Sequence, residues 1–135
     1  MKTQEERKIV QTLSLNHLHH LVRERTGRTV RWHSGGPKGA WKDGRVSIRH
    51  GTSDTQTKCT IAHELSHVAH DDPCNGDDAV EARADREASR LLIPPMAYAE
   101  TELVYGPDIH KIAEELGVTT HLAMTWRDTF ERTLL

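Results

Sequence analysis

Residues Thr57–His67 read T-K-C-T-I-A-H-E-L-S-H, and no other stretch limits the possible folds so tightly. The last five residues are H-E-x-x-H, a pattern with chemical meaning only on a helix. One helical turn separates His63 from His67, so their Cβ atoms lie ~5–6 Å apart on one face and both imidazoles reach a single metal ion. Glu64 falls about 100° round the helix, beside the metal rather than on it. A base that takes a proton from metal-bound water has to sit there. Leu65, with Ile61 and Ala62 upstream, turns to the opposite side and packs into a core. This helix must therefore have a packed side and a side open to a site.

The chain around it changes period. Residues from about Thr3 to Arg25 place Ile9, Val10, Leu13, Leu18, Leu21 and Val22 near helical spacing, with Gly27 as a stop, which predicts a scaffold helix. His17, His19 and His20 on that helix read as a partly solvated polar face, with no role assigned. Residues 29–32, 39–42 and 45–49 read as strands, and Asp43-Gly44 is a hairpin-turn signal. A small, mainly antiparallel sheet is expected. Its third strand, just before the metal helix, is a candidate edge for an extended peptide to join, or an ordinary surface strand blunted by Arg45 and Arg49.

Turn residues from Asp71 to Asp78 end the metal helix, and Asp77 or Asp78 caps the next. That helix, about Ala79 to Leu92, turns Val80, Ala84, Ala88, Leu91 and Leu92 to its buried side. Pro94-Pro95 breaks it. A shorter helix of about Pro95 to Tyr105 ends at Gly106. Asp108 caps a helix of about Ile109 to Leu116, Gly117 stops it, and Thr119 or Thr120 opens a last helix to about Arg132. No repeat or linker marks a second domain. Residues 1–135 are expected to form one α+β domain, whose C-terminal helical part covers about 95–135.

Composition removes several function classes. With 18 Lys+Arg against 20 Asp+Glu, a net charge of −2 gives no general attraction to nucleic acid or to an anionic membrane, so such binding needs a local patch. The charged start M-K-T-Q-E-E-R-K is followed by no signal-peptide core and no run of ~20 apolar residues. A soluble, cytoplasmic protein is expected. Cys59 and Cys74 are too few for a disulfide framework and read as reduced thiols.

A catalytic zinc site needs three protein ligands and a place for water. The continuation H-E-x-x-H-x-x-G-x-x-H fails here, because position 70 is His and position 73 is Pro. Glu81 is the best candidate for the third ligand. It opens the next helix in E-A-R-A-D, with Asp85 one turn on, where a carboxylate could orient a ligand histidine. His70, one turn beyond His67, and Cys74, in the loop, are rivals. Cys59, one turn before His63, reads as a small buried residue or as a ligand or redox switch.

T-I-A-H-E-L-S-H at 60–67, followed by Glu81, Ala84, Asp85, Ala88, Leu91, Leu92 and Pro94, resembles two motifs of the ImmA/IrrE-type metallopeptidases. Those motifs are T-x-A-H-E-L-G-H and E-x-x-A-[ND]-x-x-A-x-x-L-L-x-P. The hairpin G-A-W-K-D-G-R-V-S-I and the segment I-A-E-E-L-G-V-T extend the likeness from about Gly39 to the end. The resemblance implies a small zincin-like fold, zinc held by His63, His67 and Glu81, and Glu64 as catalytic base. It further implies a regulatory protein substrate such as a helix-turn-helix repressor. The chain departs from the pattern at Ser66, where the family has Gly, and at Glu87 and Cys59, where it has apolar residues. The interval from His67 to Glu81 is also short.

In the chemistry so implied, zinc polarises a scissile carbonyl and lowers the pKa of its water toward ~7, while Glu64 relays the proton to the leaving amine. An oxyanion donor is needed as well, and Tyr98, Tyr105, His110 and His121 all stand open. A different class is represented at residues 112–127, which read as helix-turn-helix with Gly117 at the turn. On that reading the protein is a DNA-binding regulator, or an adaptor, with a structural zinc. The low cation content of the last helix, with Arg127 and Arg132 only, disfavours a nucleic-acid partner. A purely structural site would also have no need of Glu64.

Overall fold

Val46 and Ile48 alternate with Arg45, Ser47 and Arg49, so one face of that strand is wholly buried and the other is partly open. Around it the chain folds, in a computed structural model describing residues 13–131, as nine elements. These are α1 (Leu15–Thr26), β1 (Arg31–His33), β2 (Gly39–Lys42), β3 (Arg45–Arg49), α2 (Asp54–His70), α3 (Asp78–Leu92), α4 (Pro95–Tyr105), α5 (Ile109–Leu116) and α6 (Thr120–Phe130). The fold is α+β, as the apolar periods require. Among the described residues no helix is long and apolar enough to cross a membrane.

Local signals set the helix starts. Side chains of Ser14, Ser53, Asp77, Asp108 and Thr119 each accept a backbone N–H from the turn they open, satisfying donors that a helix start leaves free. Ser53 moves the start of α2 ahead of the expected Thr57, because its hydroxyl accepts the N–H of Gln56. The expected first turns of the scaffold helix, with Ile9 and Val10, lie outside the described residues, and α1 begins directly after Ser14. Arg132, the expected end of the last helix, lies outside them too.

The sheet differs from the expected one. Its order is β1-β3-β2, with β2 antiparallel to β3 and β1 parallel to it, so it is mixed. The hairpin at Asp43-Gly44 forms as expected, but β1 lies on the far side of β3 from β2. The reason is burial: β3 alone carries two fully buried apolar side chains, and the middle of the sheet flanks both. The third strand is consequently no edge. The strand free to accept a neighbour beside the metal helix is β2.

One face of the sheet packs on α2, and α1 packs on α2 in turn. Leu18 and Val22 of α1, Val46 and Ile48 of β3, and Ile61 and Leu65 of α2 share this core. On the other side of α2, α3 carries Ala84, Ala88 and Leu92 into the interior, and α6 covers it with Leu122, Ala123 and Trp126. Val80 and Leu91 of α3, expected to be buried, are only half-buried. Trp126 is 1% exposed and stacks on Tyr98 of α4, with ring centroids 4.4 Å apart. Truncating Trp126 to Ala would cost about 3–5 kcal/mol.

Candidate metal centre

Because Ile61, Ala62 and Leu65 occupy the core side of α2, His63 and His67 face α3 and an open cleft. The first turn of α3 brings Glu81 to them. His63 Nε2 lies 2.7 Å from Glu81 Oε2 and 3.1 Å from His67 Nε2, and His67 Nε2 lies 3.2 Å from Glu81 Oε1. All three potential ligand atoms fall within 4.8 Å of one another. Two ring nitrogens and a carboxylate converging on one point are a donor set suited to a divalent transition metal. Among the described residues this is the group of His, Cys, Asp and Glu side chains placed to hold such an ion.

The opposite ring nitrogens are fixed by other carboxylates. The Nδ1–H of His63 donates to Asp85 Oδ1 at 2.8 Å, and the Nδ1–H of His67 donates to Asp72 Oδ2 at 2.9 Å. Each hydrogen bond selects the tautomer that turns Nε2 toward the shared point. Asp85 sits where sequence spacing puts it, and also accepts from His121 Nε2 at 3.0 Å. Burial alone would lower the pKa of His63, but the hydrogen bond to Asp85 and the nearby carboxylates raise it to about 9 without metal. Such an imidazole ring lies in a strongly anionic nest, the environment a cation prefers.

Asp72 is a residue that sequence reasoning missed. It follows Asp71, which ends α2 in a left-handed conformation with φ 48° and ψ 49°. That turn folds the chain back, so Asp72 comes under His67, where Arg83 of α3 pairs with the same carboxylate. Desolvation pushes Asp72 upward, but the hydrogen bonds from His67 and Arg83 outweigh it and keep its carboxyl below the usual range. The only available signal was a non-glycine stop followed by a second Asp.

Glu64 is 4% exposed, and its Oε2 has no hydrogen-bond partner among the described residues. Burial raises its pKa, with His63 and His67 pulling the other way. A desolvated carboxylate with a free oxygen beside a cation site is fitted to accept a proton. Against it packs Gly39 of β2, where an added Cβ would lie 2.6 Å from Thr60 Cγ2 and 3.1 Å from Glu64 Cγ. Only a glycine lets the strand come this close. The cleft, about 680 Å³, thus has one wall of residues 37–41 along β2 and another of α2 and α3. Trp41 Nε1 donates to Asp71 Oδ1 at 3.2 Å, tying the walls together.

The other candidates separate cleanly. His70 bonds Glu87 at 2.8 Å instead of joining His63 and His67. Cys74 is exposed on the cleft rim, and Cys59 is buried, its Sγ accepting the Thr119 N–H at 3.4 Å and its thiol pushed up by burial. Of the four possible oxyanion donors, His121 lines the cleft. Tyr98 is buried against Trp126, the hydroxyl of Tyr105 donates to Glu115 at 3.3 Å, and His110 bonds Thr120 at 3.3 Å. The start of α6, which a helix-turn-helix protein would insert into a DNA groove, lines this cleft with Thr119, His121 and Leu122. Its next turns bury Ala123 and Trp126 in the core.

Two departures from the expected motif meet in space. Ser66 Oγ donates to Glu87 Oε2 at 2.6 Å, so the hydroxyl and the carboxylate partner each other across α2 and α3. Beyond this geometry, the chain matches the peptidase family described as the IrrE N-terminal-like domain over residues 16–124, most of its length. Among curated proteins and among solved structures, none matches it.

Proposed function

The chain belongs to the IrrE N-terminal-like peptidase family, and from that premise we propose that it is a zinc-dependent endopeptidase of the cytoplasm. The observation carrying this reading is the convergence of His63 Nε2, His67 Nε2 and Glu81 beside the buried carboxylate of Glu64, whose Oε2 has no partner among the described residues. His63, His67 and Glu81 would hold the ion, which supplies Lewis acidity toward a peptide carbonyl and an attacking water. Glu64 takes the proton of that water on its free oxygen and passes it to the departing amine. Asp85 and Asp72 keep the two imidazoles oriented throughout. His121, held by Asp85 on the cleft wall, is the residue best placed to donate to the developing oxyanion.

The substrate would lie along β2 as an added strand, since that edge walls the cleft beside Glu64. Residues 1–135 would act as a single metallopeptidase domain. A regulatory protein such as a helix-turn-helix repressor remains the substrate class proposed from the sequence. Incubation of the zinc-loaded protein with a repressor encoded beside it should give one discrete cut. Glu64→Gln should slow cleavage by about 10²–10⁴-fold while leaving metal content intact. Cleavage by Glu64→Gln at the native rate would remove Glu64 from this role.

A further inference from the structure

None of the strand sequences R-W-H, G-A-W-K and R-V-S-I-R contains an acidic residue. Register places the inward and outward positions. Trp41 opposes the buried Val46 and Gly39 opposes the buried Ile48, so Ala40 and Lys42 share the other face with Ser47 and Arg45. Arg31 opposes Ser47 and His33 opposes Arg49 on that face too. The side of the sheet turned away from α2 thus carries Arg31, Lys42, Arg45 and Arg49, extended by Lys38. Where the guanidinium groups are engaged, the partners are neutral: Arg45 Nε donates to Thr29 O at 3.2 Å and Arg49 Nη1 to Gly36 O at 2.8 Å. Among the described residues no carboxylate pairs with any of these five cations.

Lys42 directly opposite Arg45 is a like-charge cross-strand pair, an arrangement that is unfavourable until an anion sits beside it. The cationic face is continuous with the cleft, because Lys38 and Ala40 of the free strand edge belong to both. An extended polypeptide joining β2 would send every second side chain onto this face, at a repeat of ~6.8 Å, and the alternate ones toward α2. Two substrate residues four apart would then stand opposite Lys38 and Lys42. The patch spans only a five-residue strand, ~17 Å, which suits a short peptide segment better than a nucleic-acid backbone. The helices beyond it, moreover, carry most of the acidic residues of a chain of net charge −2.

We propose that the open face of the sheet selects substrates with acidic side chains at alternate positions of the segment that pairs with β2. This rests on the peptidase reading for the nature of the partner. The test uses the full chain carrying Glu64→Gln and two fluorescein-labelled ten-residue peptides of identical composition. In one, Glu occupies alternate positions; in the other, the same Glu residues are adjacent. A labelled oligothymidylate is the third probe. The alternating peptide should bind at least about fivefold more tightly than the blocked one, and Lys38→Glu with Lys42→Glu should weaken it about tenfold. Lys111→Glu, on the exposed side of α5, should change nothing.

Equal binding of both peptides, tighter binding of the oligothymidylate, no binding of any probe, or indifference to the paired reversal would each overturn the proposal. Loss of this pattern in an enzyme that still cleaves would remove the inference alone. Absence of all cleavage by the wild type, with the pattern intact, would remove the peptidase reading instead.

Discussion

The two walls of the cleft are built on opposite plans. On the helical wall, both ring nitrogens of His63 and of His67 are engaged, Asp85 and Asp72 each hold two partners, and geometry is fixed before any substrate arrives. On the strand wall, β2 has a free edge, Lys38 and Lys42 are exposed, and no described carboxylate answers them. Preorganised hydrogen bonding suits chemistry, and an unsatisfied edge suits recognition. The difference teaches that reaction and selection can be altered separately, one wall at a time.

Removing the Glu81 carboxylate attacks the helical wall most severely. Glu81→Ala, or a strong chelator on the wild type, should abolish both stoichiometric metal and cleavage, measured by metal analysis beside an activity assay. Full metal retention by Glu81→Ala would show that the third ligand lies elsewhere. Next comes the support under His67. Asp72→Ala should weaken metal binding by about 10–100-fold in competition with a chromogenic chelator, and Asp72→Asn, which still accepts from Nδ1–H, should recover part of it.

A third change tests how closely the walls approach. Gly39→Ala introduces a Cβ against Thr60 and Glu64, and should cost about 1–3 kcal/mol in denaturant unfolding along with slower turnover. Thr60→Ser removes the closest methyl while keeping the hydroxyl that bonds Gln56 O, and should rescue both. Lack of rescue would mean that the strand, not the side chain, had moved. The smallest effect lies behind the site. A double-mutant cycle of Ser66→Gly and Glu87→Leu should give a coupling of about 0.5–1 kcal/mol, because Glu87 is half-exposed and water screens it.

Much of this arrangement could be read from residue spacing, and the exceptions share a cause. His63, Glu64 and His67 are fixed relative to one another by one helix, and Asp85 is fixed to Glu81 in the same way, so helical period alone orders each set. The caps at Asp108 and Thr119 and the stop at Gly117 were legible because capping is a local hydrogen bond. The parallel placement of β1 was not, since strand order depends on which strand buries more, a comparison across 19 residues from Arg31 to Arg49. Asp72 reaches His67 through a left-handed residue, and Asp seldom announces that conformation. Gly39 did carry a signal, a lone glycine opening a strand, whose meaning depends on what approaches it. His121 emerges from its three rivals only when the packing of α6 on α3 is known.

Asp71 gives the chain a hinge pin that a protein engineer would be tempted to replace. At its positive φ a glycine would relieve backbone strain, and in most helix ends that exchange raises stability. Here the same carboxylate holds the indole of Trp41. Asp71→Gly would ease the bend while unfastening the strand from the helix, a thermally sturdier molecule with a slacker jaw.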